Sequence, residues 1–551
     1  MVGGDAATRP AAGRAARPTH PRGRMLRTVR WSRLAWLVSL ALLGGCATLR
    51  SDYVRTPSSA LPPEFTTAST RYVRAELERH PGESGFRLLV SSTDALMSRV
   101  WLIDHASRSI DLQYFIFEND ATGRLVAQRL LAAADRGVRV RLLLDDVALR
   151  HEDRLLRALD AHPHIEVRVF NPFRVHDLSL PSKLVQLLFE GRRLNRRMHN
   201  KSLMADGVVA VIGGRNIGDP YFDAGDASNF RDLDVITIGP VVAQAARTFD
   251  EYWNSEAAVA LHAYRTTHDR HAELRALRPE LGGAVRAFEQ SDYARAVLEE
   301  LPNGATGDRP GRWLWGQGRL LADQPQKIDS DHDEPALRIG PQVKQAMDGA
   351  QRELLLISPY FIPSRRGTRY LTGLARRNVA VRVLTNSLAS TDEPAAEAAY
   401  ARSRRALLAG GVELYELQPS STERQRLSAV GRSSGISLHA KAIVVDRRLV
   451  FIGSMNLDPR SRLLNSEMGV LVDCPALAQE TARYFEQAAG PGSSFHVRLQ
   501  STGASSGEGE RLAWVWNDHG VRMSSRREPE VRASRKLEFD VLRLLPIEGL
   551  L

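Results

Sequence analysis

The chain has almost no cysteine. Cys46 and Cys474 are the only two in 551 residues, so neither a disulfide framework nor a cysteine-built zinc site is available. A long apolar run is also lacking near the N-terminus, where a membrane span would be sought first. LAWLVSLALLGG, Leu34 to Gly45, falls short of the roughly 20 residues that a spanning helix needs. Charge of one sign is scarce in the body of the chain. Of the formal net charge of +11, residues 1–45 supply +7 from eight Arg and one Asp, and 11 − 7 leaves +4 for the rest. That argues against a nucleic-acid surface, which relies on a strong basic field. What is present, 43% hydrophobic and 25% charged residues, is a globular composition. The length suits two or more domains, or one large core made from two similar halves.

The N-terminal segment reads as a signal peptide. Arg27, Arg30 and Arg33 precede the short apolar run and Cys46 follows it. LGGC, Leu43 to Cys46, resembles the bacterial lipobox, whose cysteine is acylated and becomes the mature N-terminus. An uncleaved short anchor is the competing reading. Ala47 in place of Asp favours the outer membrane over inner-membrane retention, so the protein is expected in the cell envelope, lipid-anchored and facing the periplasm. Met25 is the more usual start for such a leader, which makes residues 1–24 an upstream extension. Residues 46–80 then serve as a tether. Lipidation of Cys46 leaves Cys474, in LVDCPAL, as a small packing residue near a strand end.

An internal repeat organises the remainder. MHNKSLMADGVVAVIGGRN, residues 198–216, recurs as GISLHAKAIVVDRRLVFIGSMN, residues 435–456. His199, Lys201 and Asp206 match His439, Lys441 and Asp446. Gly213 and Asn216 lie 14 and 17 residues after His199, as Gly453 and Asn456 lie after His439. A His-x-Lys-x4-Asp arises by chance at roughly one position in ten thousand, so two copies with a shared downstream turn are not accidental. Upstream, residues 107–146 and 351–387 each read as strand, amphipathic helix and strand, with YFI ending the first strand at Tyr114 and Tyr360. Downstream, FRDLDVITIGP and LNSEMGVLVDCP align through Val235 and Val470, which places Asp232 opposite Glu467.

These patterns predict an α/β fold of two homologous halves containing βαβ units, packed about a pseudo-two-fold axis. Mostly parallel sheets flanked by helices are expected, with a hairpin closing each half. The halves span 81–302 and 336–499. Residues 303–335, rich in Gly, Pro and Asp, read as the linker, and 500–551 as a spacer followed by a tail that packs back.

Paired His and Lys suit attack on a phosphodiester. Residues two apart on a strand share a face, so His199 points with Lys201 and His439 with Lys441. Asp206 and Asp446 have the other parity and are expected to hold the turn or the neighbouring half. If both His-Lys faces line one cleft, one imidazole attacks phosphorus while the other protonates the leaving alcohol. The lysines, with Asn216 and Asn456, would meet the phosphoryl oxygens. A carboxylate should fix each imidazole tautomer. Asp232 and Glu467 are the natural orienters, with Asp234 a same-face alternative. No metal or other cofactor is expected.

The duplicated HNKSLMAD...GGRN and HAKAIVVD...GSMN resemble the two HKD motifs of the phospholipase D superfamily. Within that superfamily QYFIFEND, FRDLD, SPYFIP and the ending LPIEGLL are similar to the bacterial cardiolipin synthase C type. The resemblance implies phospholipid substrates, a phosphohistidine intermediate, His199 as nucleophile and His439 as general acid. It implies phosphatidyl transfer from phosphatidylglycerol to a second phospholipid. Hydrolysis to phosphatidic acid and an HKD nuclease are the competing functions, though no nucleic-acid partner is expected. A basic amphipathic segment, 183–197, is a candidate for lying on an anionic bilayer, against the alternative of a core-packed helix with a solvated basic end. The Trp313/Trp315 and Trp514/Trp516 pairs read as packed strands.

Overall fold

The computed structural model describes residues 54–147, 153–172, 193–225, 228–263, 269–295, 312–330, 334–419, 435–501 and 510–545. The leader, Cys46 and residues 183–192 lie outside them.

The apolar run Ser109–Tyr114 is buried throughout as a strand. Asp120 then caps helix Ala121–Asp135 by accepting from the Gly123 amide at 2.9 Å. Gly137, at φ +92°, stops that helix in a conformation that L side chains resist. The chain returns as strand Arg139–Asp145, parallel to the first. The second half builds the same unit from Glu353–Ile357, helix Arg365–Arg376 and Ala380–Asn386.

Among the described residues eighteen strands join into one sheet, and each half contributes seven in the same order. From the outside inward, the first half runs Ile165–Phe170, Arg139–Asp145, Ser109–Tyr114, Ser202–Ala205, Val209–Gly213, Asp234–Ile238 and Ser84–Leu89. The second runs Glu413–Leu417, Ala380–Asn386, Glu353–Ile357, Ala442–Val445, Leu449–Gly453, Met468–Asp473 and Leu314–Ala322. The two innermost strands pair antiparallel, with Ser84 opposite Gly316. Leu89 and Leu321 hold equivalent places, opposite Asp234 and Gly469. The offset there is 321 − 89 = 232, and 84 + 232 = 316, so the Ser84–Gly316 pair sits on the pseudo-two-fold axis. Inner faces meet in one shared core, where Met204, Ile212 and Val235 join Leu355, Val444 and Val470. That burial is what holds the two halves in register.

Several expectations change. Parallel pairing in this sheet is confined to the three outermost strands named for each half, so the α/β sheet is mixed rather than mostly parallel. The hairpins around each His-Lys segment need only tight turns and pair antiparallel without a crossover helix. Residues 303–335 are not only a linker, because Leu314–Ala322 is the first strand of the second repeat. Its glycines answer close packing: a Cβ on Gly316 would meet the Asp473 carbonyl oxygen at 2.5 Å, and one on Gly318 the Phe86 ring at 2.5 Å. Residues 54–80 do not trail as a tether. They include helix Ala68–Arg79, and the carbonyls of Thr56, Ser58 and Ser59 accept from Arg168, Arg141 and Arg139.

The shared YFI string is out of register. Gln113 faces Ser202 and Ile357 faces Ala442, each one residue past a motif lysine, so Tyr360 is equivalent to Ile116 and not to Tyr114. Phe539, in helix Ala533–Leu544, packs against Leu388 and Ala398. Trp315 and Trp514 lie in strands, the first stacked on His80 at 4.0 Å and the second donating to Glu416 at 2.8 Å. Cys474 is buried directly after strand Met468–Asp473.

Candidate active site

Each motif histidine stands just before a hairpin and is fixed by backbone bonds to the opposite half. The His199 amide donates to the Ser466 carbonyl at 2.8 Å, and the His439 amide to the Arg231 carbonyl at 2.7 Å. Ser466 precedes Glu467 and Arg231 precedes Asp232. The same crossing therefore brings each carboxylate to the other half's imidazole. Glu467 Oε2 lies 2.9 Å from His199 Nδ1, and Asp232 Oδ2 lies 2.5 Å from His439 Nδ1.

With Nδ1 engaged by a carboxylate, the proton belongs on Nδ1 and Nε2 is the free nitrogen. Lys441 Nζ also approaches His439 Nδ1 at 2.9 Å. A single nitrogen cannot donate to Asp232 and accept from Lys441. The shorter carboxylate contact takes the proton, and Lys441 turns its hydrogens to the His439 carbonyl. Lys201 Nζ bonds the His199 carbonyl in the same way at 2.7 Å.

The two carboxylates are held differently. Glu467 accepts from Ser454 Oγ at 2.5 Å and Ser461 Oγ at 2.8 Å. The residue equivalent to Ser454 is Gly214, where a Cβ would sit 2.1 Å from Asp232 Oδ1. A longer acid with a serine beside it on one side thus answers a shorter acid with a glycine on the other.

Burial dominates the electrostatics. It pushes the His199 imidazole down to about 4, with Lys201 adding to the effect and Glu467 opposing it. Burial, then Lys441 and Lys201, drives His439 well below the usual imidazole range. Both lysines are lowered by burial, Lys201 strongly, against the attraction of Glu467 and Asp232. Burial raises Asp232, opposed by Lys441 and Arg215. For Glu467 burial acts upward, but His199, Lys201 and Ser454 outweigh it and hold the carboxyl below its ordinary value. At rest, burial favours the neutral form of both imidazoles, each of which has a carboxylate at Nδ1.

Asp206 and Asp446 stay out of this constellation. Asp206 accepts from the amides of Ser107, Arg108 and Ser109 at 2.8–2.9 Å. Asp446 does the same for Gln351, Arg352 and Glu353. Each anchors the entry to a strand of its own half, Ser109–Tyr114 or Glu353–Ile357, and not of the neighbouring one. Asp234 is no orienter either, because it lies between buried Arg99 and Arg215 at 2.9 and 3.2 Å. Asn216 is committed, accepting from the Ile116 amide at 3.2 Å and donating to Tyr221 OH at 2.8 Å. Asn456 Oδ1 is buried and has no hydrogen-bond partner among the described residues. Arg196 and Arg197, at the end of 183–197, point inward to the Ile328 carbonyl and to Asp145. That part of the segment cannot serve a bilayer.

Two positioning residues escaped the sequence reading. Asp145 accepts from the Met198 amide at 2.8 Å, and Asn386 from the Leu438 amide at 2.8 Å. Each fixes the backbone just before a motif histidine, and burial raises the Asp145 carboxyl to about 6. The available signal was a polar residue ending an apolar strand in both repeats, 386 − 145 = 241 apart, beside 240 for the histidines.

The family model described as "Cardiolipin synthase, PLD-like domain" matches residues 100–253 and 343–489. Cardiolipin synthase C of Escherichia coli (strain K12) is 38% identical over 485 residues, covering 86% of this chain and 97% of that protein. Cardiolipin synthase A of Edwardsiella ictaluri (strain 93-146) is 24% identical over 454 residues, 82% of this chain and 78% of that one. Among solved structures, phosphatidylserine synthase of Haemophilus influenzae Rd KW20 covers 87% of this chain and 99% of its own with a TM-score of 0.51, and at 15% identity the likeness speaks for the fold alone. The chain belongs to the phospholipase D-like family of cardiolipin synthases.

Proposed function

We propose that this chain is a phosphatidyltransferase that makes cardiolipin from phosphatidylglycerol and a second phospholipid. The observation that carries this reading is the crossed pairing of His199 with Glu467 and His439 with Asp232, which leaves two free Nε2 atoms for one phosphorus. Similarity to cardiolipin synthase C over nearly all of that protein supports the choice of lipid.

In the first step His199 Nε2 attacks phosphorus, a P–N bond forms and the P–O bond to the leaving alcohol breaks. His439, charged once the anionic phosphodiester is bound, gives its Nε2 proton to the departing oxygen. In the second step His439 takes the proton of the incoming lipid hydroxyl, whose oxygen displaces His199. Lys201 and Lys441 neutralise the phosphoryl oxygens as charge builds. Asn456 is the further candidate for that task, since Asn216 is held by Ile116 and Tyr221.

Labelled phosphatidylglycerol, supplied to the purified protein with and without phosphatidylethanolamine, is expected to give labelled cardiolipin. Phosphatidic acid as the sole product would make the protein a hydrolase. Cleaved DNA with neither lipid product would make it a nuclease.

The family makes this a membrane-associated bacterial protein. Among the described residues no helix is long and apolar enough to cross a membrane. A lipid on Cys46, with the body in the periplasm at the outer membrane, is the anchoring we propose. Mass spectrometry of the mature N-terminal peptide should find acylated Cys46 as residue one, and an intact Leu43–Cys46 sequence would refute it.

A further inference from the structure

We propose that helix Ala533–Leu544 is a bilayer-docking surface that seats the mouth of the active site on an anionic phospholipid membrane. The inference extends the lipid-substrate reading above. One face of this helix is spent on the fold, with Phe539 fully buried against Leu388 and Ala398 and Leu542 packed beside them. Another face is not. Leu537, Val541 and Leu544 follow at i, i+4 and i+7 on one stripe and are 68%, 51% and 86% exposed. A stripe of this kind on a soluble surface marks a partner.

Charge and position identify the partner. Exposed Arg526, Arg527 and Arg532 precede the helix and exposed Arg543 lies in its last turn, so basic groups stand at both ends of the stripe. Glu538 and Asp540 flank it without interrupting it, and Asp540 is paired with Lys536 at 3.1 Å. An apolar face with basic ends suits the interfacial layer of an anionic bilayer. The helix is also tied to a loop next to the motif residues. Arg535 donates to the Thr391 carbonyl. The next residue, Asp392, accepts from Tyr360 OH at 2.7 Å and acts electrostatically on His439 and Lys441. Behind Thr391 the same loop leads back to Asn386, which holds Leu438 next to His439.

The test uses the full chain with Cys46→Ser, so that no acyl group contributes, and an environment-sensitive dye on Leu544→Cys. Cys474 is buried and takes no label. Phosphatidylglycerol vesicles are expected to shift the dye emission to the blue and to make it quenchable by nitroxide lipids. A dye on Arg275→Cys, exposed on helix Arg270–Glu289 of the other half, should not respond. Adding Leu537→Glu and Val541→Glu should weaken vesicle binding by on the order of tenfold or more. The same pair should lower turnover of vesicle-borne phosphatidylglycerol and spare that of a soluble short-chain analogue. An unresponsive dye, equal binding of the glutamate variant, or a dimer in sedimentation that the glutamates disperse would each overturn the proposal. If the parent turns over neither lipid, the functional reading fails while the dye result still decides the docking surface.

Discussion

His199→Gln is expected to lower phosphatidyl transfer by on the order of 10⁴-fold or more, because glutamine offers no nitrogen that can form and release a phosphoryl bond. His439→Gln should behave differently when the leaving group needs no proton. With a nitrophenyl ester of the phosphatidyl group, the first step proceeds, the second lacks its base, and label accumulates as an acid-labile phosphohistidine. Quench-flow with labelled phosphorus reads both variants. Label trapped on His439 in the His199→Gln protein would reverse the assignment. Stability gives the same variant a second readout. The folded state holds His199 at about 4, below the ordinary 6.5, so it prefers the neutral ring. That contribution is fully present above pH 6.5 and is lost as pH falls from 6.5 towards 4. The parent's Tm should decline across that window, and the decline should flatten in His199→Gln.

How much of this was legible before the structure follows from where each constraint lies in the chain. The His-Lys pairs, the hairpins and the equivalence of Asp232 with Glu467 are local or periodic, and a repeat exposes them. The crossing is neither. His199 meets Glu467 268 residues away and His439 meets Asp232 207 residues away, and no spacing rule relates such pairs. Of strand Leu314–Ala322 the sequence showed only the Trp313/Trp315 alternation, because its glycines, required by the neighbouring Phe86 and Asp473, read as linker composition. The YFI coincidence misled for the opposite reason. Identical letters stood two places apart in the sheet, and only pairing to the motif strands exposes the slip. Arg196 and Arg197 looked like a basic surface because charge suggests water, yet the Ile328 carbonyl and Asp145 give them partners inside.

Asp232 and Asp234 differ by one turn of the strand pleat and should separate cleanly by mutation. Asp232→Asn keeps the size of the side chain and the room left by Gly214, but removes the charge that fixes the Nδ1 proton of His439 and stabilises its imidazolium. Activity should fall on the order of 10²–10⁴-fold, while unfolding free energy changes by no more than about 1 kcal/mol. Loss of the leaving-group proton is the cause, so the activated nitrophenyl ester should suffer much less in the first step than the natural lipid. Asp234→Ala touches no reacting atom. It leaves Arg99 and Arg215, both fully buried, without the carboxylate that they share. Stability should drop by about 3–5 kcal/mol, as expected when one member of a buried ion network is removed. Denaturant unfolding beside single-turnover kinetics distinguishes the two. Equal destabilisation by both substitutions would remove Asp232 from its orienting role and make the crossed pair a structural clamp.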